Sequence, residues 1–349
     1  MRRPHVLRRA VLAASLAWSC ASGAAPAYPN TEGFGVEFAK SEDWYRHCMR
    51  ALRISPPPAP APSRRATLRC NATDLYYLKR DQQHTSATEW GQVRDCAEAT
   101  GDDAVLMMLH ANGYGVPRDA DRAIYHACRL DAAKAEMELR VGYLASPSAA
   151  ADAHPFAHPF DLCDHITSGR MGGVCAAIGM GRDDRARAAR LDRFAAGLPP
   201  ASRPAFGRLR TAAAAFTHTS AREVDMTGTG GPGFTFRHSG RRDAEFLDTL
   251  LKAASGKLPP ATPAQFAELD RELNDAYRAL LALPSEQENH PERIRSSTVA
   301  REDVRNTERA WLAYRDAWES FLSATGLPAD VTAVKAALTR QRIAQLKAI

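Results

Sequence analysis

Two stretches of the chain carry residue types that could do chemistry. His154, His158, Asp161, Cys163, Asp164 and His165 crowd into twelve positions, a nitrogen, oxygen and sulfur donor set of the kind that holds zinc. Both His154 and His158 precede proline, and a residue before proline is pushed out of the helical region. No helical spacing therefore fixes these donors as ligands. Cys163 also has a disulfide candidate in Cys175, so a solvated loop pinned by a bridge is expected, with no metal. The run Thr227-Gly228-Thr229-Gly230-Gly231-Pro232-Gly233 could offer backbone N–H groups to a phosphate. It lacks the Gly-Lys-Ser/Thr ending of a P-loop and does not read as strand-to-helix, so a flexible connection is expected. No His-Glu-x-x-His, Gly-x-Ser-x-Gly or Ser-x-x-Lys motif occurs. Carboxylates are plentiful, but nothing in the sequence pairs two of them for acid–base work. The expectation is a non-enzyme with no catalytic residue, no cofactor and no metal.

Sulfur chemistry is the exception. Of seven cysteines, Cys20 lies in the N-terminal leader described below. The other six, Cys48, Cys70, Cys96, Cys128, Cys163 and Cys175, form an even set without a Cys-x-x-Cys pair. In an oxidising compartment that reads as three disulfides. Six cysteines allow 15 connectivities; sequential pairing is favoured on local loop closure alone.

The N-terminus supplies the compartment. Arg2, Arg3, Arg8 and Arg9 precede an apolar Val11–Trp18 stretch too short to span a bilayer, and Ala25-Pro26-Ala27 fits a cleavage site. Residues 1–27 read as an export signal, with a periplasmic or secreted product and no stable membrane insertion after cleavage. The chain holds 46 Lys and Arg against 40 Asp and Glu, a net charge of +6. Removing the four leader arginines leaves 42 against 40, so nucleic-acid binding loses its compositional support.

The elements that must position anything functional are helices. Residues 28–66 form an N-terminal segment ending in the spacer Ser55-Pro56-Pro57-Pro58-Ala59-Pro60-Ala61-Pro62, stiff and extended. From 67 to 182 the pattern is helical and Cys-containing. Cys96 and Cys128 open similar segments 32 residues apart, a period expected of stacked helix pairs. Gly113, Gly115, Val116, Asp119 and Ala123 fall in a Gly-x-Gly-Val-x-x-Asp-x-x-x-Ala pattern that resembles a Sel-one-like repeat. The resemblance implies protein–protein contact without chemistry of its own.

Near the C-terminus, Val304, Thr307, Trp311, Tyr314, Trp318 and Phe321 recur at spacings of three and four and form one stripe of a helix. A preceding helix starts at Thr262-Pro263 and carries Phe266, Leu269, Leu273, Ala276, Leu280 and Leu283. A following one carries Val331, Val334, Leu338, Ile343 and Leu346. Residues 262–349 thus read as a three-helix bundle, with the aromatic stripe buried against the 263–283 helix. This unit resembles the LprI-type lysozyme-inhibitor-like family through Asp270, Leu273, Asn274 and Tyr277, then Arg309, Trp311, Tyr314, Arg315 and Asp316, then Leu338, Thr339 and Arg342. It departs from that family in having no cysteine here. Arg315 and Asp316 are expected in a polar network with Asp270 or Arg342. Residues 183–257 read as a degenerate copy of the bundle, since Leu191-Asp192-Arg193 echoes Leu269-Asp270-Arg271 and Leu209–Phe216 echoes Val304–Trp311.

The expected architecture is all-α: a disulfide-stapled, repeat-like helical domain followed by helical bundle units. The resemblance implies an exported binding protein with a protein partner in the cell envelope, a lysozyme being the candidate target, reached through carboxylates such as Glu268, Glu272, Asp275 or Glu302. The alternatives are an envelope interaction or assembly module using the repeats, and an undetected cell-wall hydrolase.

Overall fold

A computed structural model of the protein describes residues 27–53, 70–146 and 159–349. Residues 1–26 of the stretch read as an export signal, the proline-rich spacer, His154 and His158 lie outside the described residues. The fold is all-α. Twelve α-helices are described: α1 (Asp43–Leu52), α2 (Ala72–Arg80), α3 (Ala87–Thr100), α4 (Asp103–Asn112), α5 (Ala120–Ala127), α6 (Lys134–Ala145), α7 (Gly169–Gly197), α8 (Arg203–Ser220), α9 (Gly231–Ala254), α10 (Pro263–Ala282), α11 (Arg301–Thr325) and α12 (Val331–Leu346). Isolated bridges between Ser285 and Arg295 and between Arg293 and Ala300 are the only β pairing among the described residues.

Local signals in the sequence account for many helix ends. Ser86 and Glu89 form a capping box at the start of α3, and Asp102 and Asp119 cap α4 and α5 through their side chains. Gly113 ends α4 at a φ of +72°. Gly115, at φ +68°, is required twice over: a Cβ there would lie 2.6 Å from that of Trp90. The Trp90 ring stacks on Tyr114 with centroids 4.6 Å apart, so this turn is fitted against α3.

Two buried clusters divide the helices. The first gathers Trp44, Tyr76, Tyr77, Val93, Met107, Met108, Leu109, Ile124, Met137 and Val141 from α1 to α6. Here α2 packs on α3, α4 on α5, and α1 on both α5 and α6. The second gathers Phe206, Leu209, Phe216, Phe246, Leu273, Trp311, Tyr314, Trp318, Phe321 and Leu338 from α8 to α12. The α7 helix runs unbroken from Gly169 to Gly197, across the 182/183 boundary expected from sequence. Gly231, Pro232 and Gly233, expected in a flexible connection, form the first turn of α9.

Three disulfides join Cys48 to Cys128, Cys70 to Cys96, and Cys163 to Cys175. The sequential pairing expected from sequence survives only in the last. The reason is packing: α1 lies on α5, which brings Cys48 beside Cys128 across 80 residues, and the α2–α3 pair brings Cys70 beside Cys96. The proline-rich spacer therefore lies inside the long Cys48–Cys128 loop and is not closed by a bridge of its own. Thiol titration of mature protein, denatured without reductant, is expected to find none of these six free. Two or more titratable thiols per chain would contradict it.

In the C-terminal half the packing order repeats. Within residues 169–254, α7 packs on α9; within 263–346, α10 packs on α12. The two middle helices, α8 and α11, pack on each other more extensively than any other pair. The aromatic stripe of α11 is buried as expected, but against α8 and α9, which corrects the expected partner. Tyr314 stacks on Phe216 of α8 at 5.7 Å, and Phe246 of α9 meets both Tyr314 and Trp318 edge-on. The helix α10 cannot fill that role: it buries only Leu273 and Leu280.

A candidate protein-docking face on α10 and α11

The donor cluster around Asp161 is occupied by its own fold. Asp161 accepts a hydrogen bond from the Tyr77 hydroxyl at 2.9 Å, pairs with Arg80 and caps its own short turn at Cys163 N. Cys163 is in a disulfide, and Asp164 accepts from Asp161 N at 2.7 Å. Burial, with Arg140 nearby, pushes His165 down to about 4. Among the described residues no group of three or more His, Cys, Asp or Glu is placed to hold a metal.

The twelve motif residues divide evenly. Leu273, Trp311, Tyr314, Leu338, Thr339 and Arg342 are buried. Asp270, Asn274, Tyr277, Arg309, Arg315 and Asp316 are partly or fully exposed.

The buried half fixes the helices. Arg342 on α12 is fully buried and forms a fork with Glu223, Nη1 to Oε2 at 2.8 Å and Nη2 to Oε1 at 2.7 Å, while its Nε donates to Glu308 on α11 at 3.0 Å. Glu223 sits in the Ala221–Glu223 turn that follows α8. One guanidinium thus ties α12, α11 and the end of α8 together. The expected pairing of Asp316 with Arg342 does not form, because Arg342 points into this buried fork and Asp316 faces solvent. The expected link from Arg315 to Asp270 is present at 3.1 Å. The Arg315 guanidinium also lies 5.0 Å from the Trp311 ring, a cation–π contact on the seam's edge. Glu223 was missed by sequence reasoning: it lies in a short turn with no periodicity to mark it.

The exposed half makes a surface. Asp270, Asn274 and Tyr277 follow one another at spacings of four and three on α10; Arg309, Leu312 and Asp316 do so at three and four on α11. The Arg315–Asp270 pair joins the two rows. Asn274 donates to the Asp270 carbonyl at 2.7 Å. Burial, then the nearby Glu308 carboxylate, raises the Tyr277 hydroxyl's pKa. Arg309 pairs with Glu302 at 3.0 Å, which lowers the Glu302 pKa. Leu312 is an exposed large apolar side chain, and Asp316 has no ion pair among the described residues. Of the other carboxylates singled out, Asp275 pairs with Arg278 and Glu272 with Lys347, while Glu268 is exposed and makes no ion pair among the described residues. Such solvent-screened surface pairs shape the face more than they hold it. The face joins an apolar centre, an aromatic hydroxyl and mixed charge, a composition suited to docking a protein.

Residues 261–346 match the model of the family described as lysozyme inhibitor LprI. That segment spans α10, α11 and α12. No curated protein and no solved structure matches the chain.

Proposed function

We propose that this is an exported inhibitor-type binding protein that docks a lysozyme on the α10–α11 face. The family match over residues 261–346 carries the reading. Three disulfides support an extracytoplasmic setting, and no helix among the described residues is long and apolar enough to cross a membrane. Affinity would come from shape around Leu312 and Tyr277, with Asp316 offering a free carboxylate to a cationic partner. The test is lysis of peptidoglycan by chicken-type, goose-type and invertebrate-type lysozymes with mature protein added. Dose-dependent slowing of at least one is expected; no slowing of any in large molar excess would reject the reading. For an inhibited lysozyme, Asp316→Lys should raise the half-inhibiting concentration about tenfold, or about 1.4 kcal/mol. An unchanged value would remove Asp316 from the face. Peptidoglycan cleaved by the protein alone would favour the hydrolase reading.

A second reading has its own observation. The α4–α5 hairpin has Gly113 and Gly115 at positive φ and Asp119 as N-cap, which supports the Sel-one-like reading of this stretch. The Cys-containing half is then an envelope interaction module. The repeated packing order further supports reading α7–α9 as a divergent copy of α10–α12. The spacing of Ser239, Arg242 and Phe246 on α9 recurs in Thr339, Arg342 and Leu346 on α12.

A further inference from the structure

A cleft of about 460 Å³ opens between α9 and the last turns of α12, away from the α10–α11 face. Its volume lies within the roughly 300–1,000 Å³ typical of small-molecule sites. Four basic side chains of α9 line it in two adjoining rows: Arg237 with Arg241, and His238 with Arg242. Gln341 and Gln345 of α12 face them.

The charges of this cleft are unequally satisfied. Its side-chain carboxylates are each engaged within the fold. Glu223 holds the Arg342 fork. Glu245 accepts from Arg242 at 2.9 Å and from Gln345 at 3.0 Å. Asp225 accepts from Thr227 and Thr298. Its arginines are not. Arg237 and Arg241 are exposed and have no carboxylate partner among the described residues; Arg237 rests over the Phe234 ring at 5.0 Å. Behind them Arg242 is 8% exposed in its side chain and meets one carboxylate, with Nε and Nη1 buried and without hydrogen-bond partners. The contrast with Arg342, one hundred positions later in the same local spacing, is direct: Arg342 is saturated by two carboxylates and Arg242 is half compensated. A buried cation only half compensated leaves positive potential in the polar space beside it, here the cleft. His238 lines the same wall, its Nε2 3.3 Å from the Ser220 hydroxyl; burial first, then Arg242, Arg241 and Arg342, push its pKa down to about 4.

We propose that this cleft binds a small oxyanion-bearing molecule, a carboxylate or a phosphate ester, with Arg237 and Arg241 contacting the anion and Arg242 supplying positive potential from behind. A planar guanidinium pair one helical turn apart suits either group. The volume leaves room for a molecule larger than the ion itself. The inference does not depend on the lysozyme reading, since it uses α9 and the outer edge of α12.

The experiment titrates the mature full-length protein with inorganic phosphate and, separately, with citrate. Calorimetry reads the binding, against sodium chloride at matched ionic strength. Saturable binding of at least one is expected, and the stronger of the two identifies the ligand's anionic group. The double variant Arg237→Gln/Arg241→Gln should weaken that binding by about tenfold or more. Its thermal midpoint without ligand should stay unchanged, because both side chains are exposed. Binding of neither anion beyond the chloride control would overturn the proposal. So would equal binding by the folded double variant.

Discussion

Arg342→Ala is expected to lower the stability of the C-terminal half by about 3–5 kcal/mol, the range for removing one partner of a buried ion pair. The loss comes less from the missing attraction than from what remains. Glu223, 1% exposed in its side chain, would be left as a buried carboxylate with its fork gone. Glu308, more exposed at 14%, can turn to water, so Glu308→Gln should cost much less. Urea midpoints of the two variants check this. Equal and small effects, within about 1 kcal/mol, would mean that the fork is not a structural tie. The double replacement Arg342→Met/Glu223→Leu should recover much of the loss, since an apolar pair needs no compensation.

Trp318→Ala should cost a similar amount, about 3–5 kcal/mol, the usual range for deleting a buried aromatic. Trp318 is fully buried, and its ring meets Phe246, Tyr314 and Phe321 with centroids 6.0–6.4 Å away. Phe216→Ala on α8 should act in the same direction, although Phe216 lies outside the matched 261–346 segment. The seam that segment presents is completed by α8 and α9. A fragment holding only residues 258–349 would expose Trp311, Tyr314 and Trp318 and would leave Arg342 without Glu223. Far-UV circular dichroism with urea titration measures both variants. A midpoint unmoved by Trp318→Ala would identify the stripe as a surface.

Periodicity made the C-terminal helices legible. Thr262 caps α10 with Gln265 and Pro263 in place, and Gly326 ends α11 in the left-handed conformation, as their residue types require. Val304 through Phe321 face inward on α11 because spacing alone sets that stripe. What covers the stripe was not legible. An amphipathic pattern says that a face is buried but not against which helix, so α8 replaced α10 as its main partner. Cysteine pairing failed for a related reason: parity gives the number of bridges, while connectivity follows from which helices pack, and α1 returns to α5 only in the folded chain. Glu223 and the half-paired Arg242 were invisible, because nothing in a short turn or an Arg-rich helix marks which charge will be enclosed. The six exposed motif residues could be named from the resemblance. Their convergence on one face depends on the Arg315–Asp270 contact, which sequence offered as one of two alternatives.

Hydrogen–deuterium exchange on a complex with an inhibited lysozyme tests the proposed docking on the α10–α11 face most directly. Mature protein with an excess of an inhibited lysozyme is predicted to gain protection in peptides covering Asp270–Tyr277 and Arg309–Asp316. The disulfide-bonded α1–α6 half should be unchanged. The variant Leu312→Asp/Asp316→Lys, both positions exposed, should keep its thermal midpoint and lose that protection. Protection confined to α1–α6 would place the partner on the Cys-containing half; that result, or binding unaffected by the double variant, would contradict docking on the α10–α11 face.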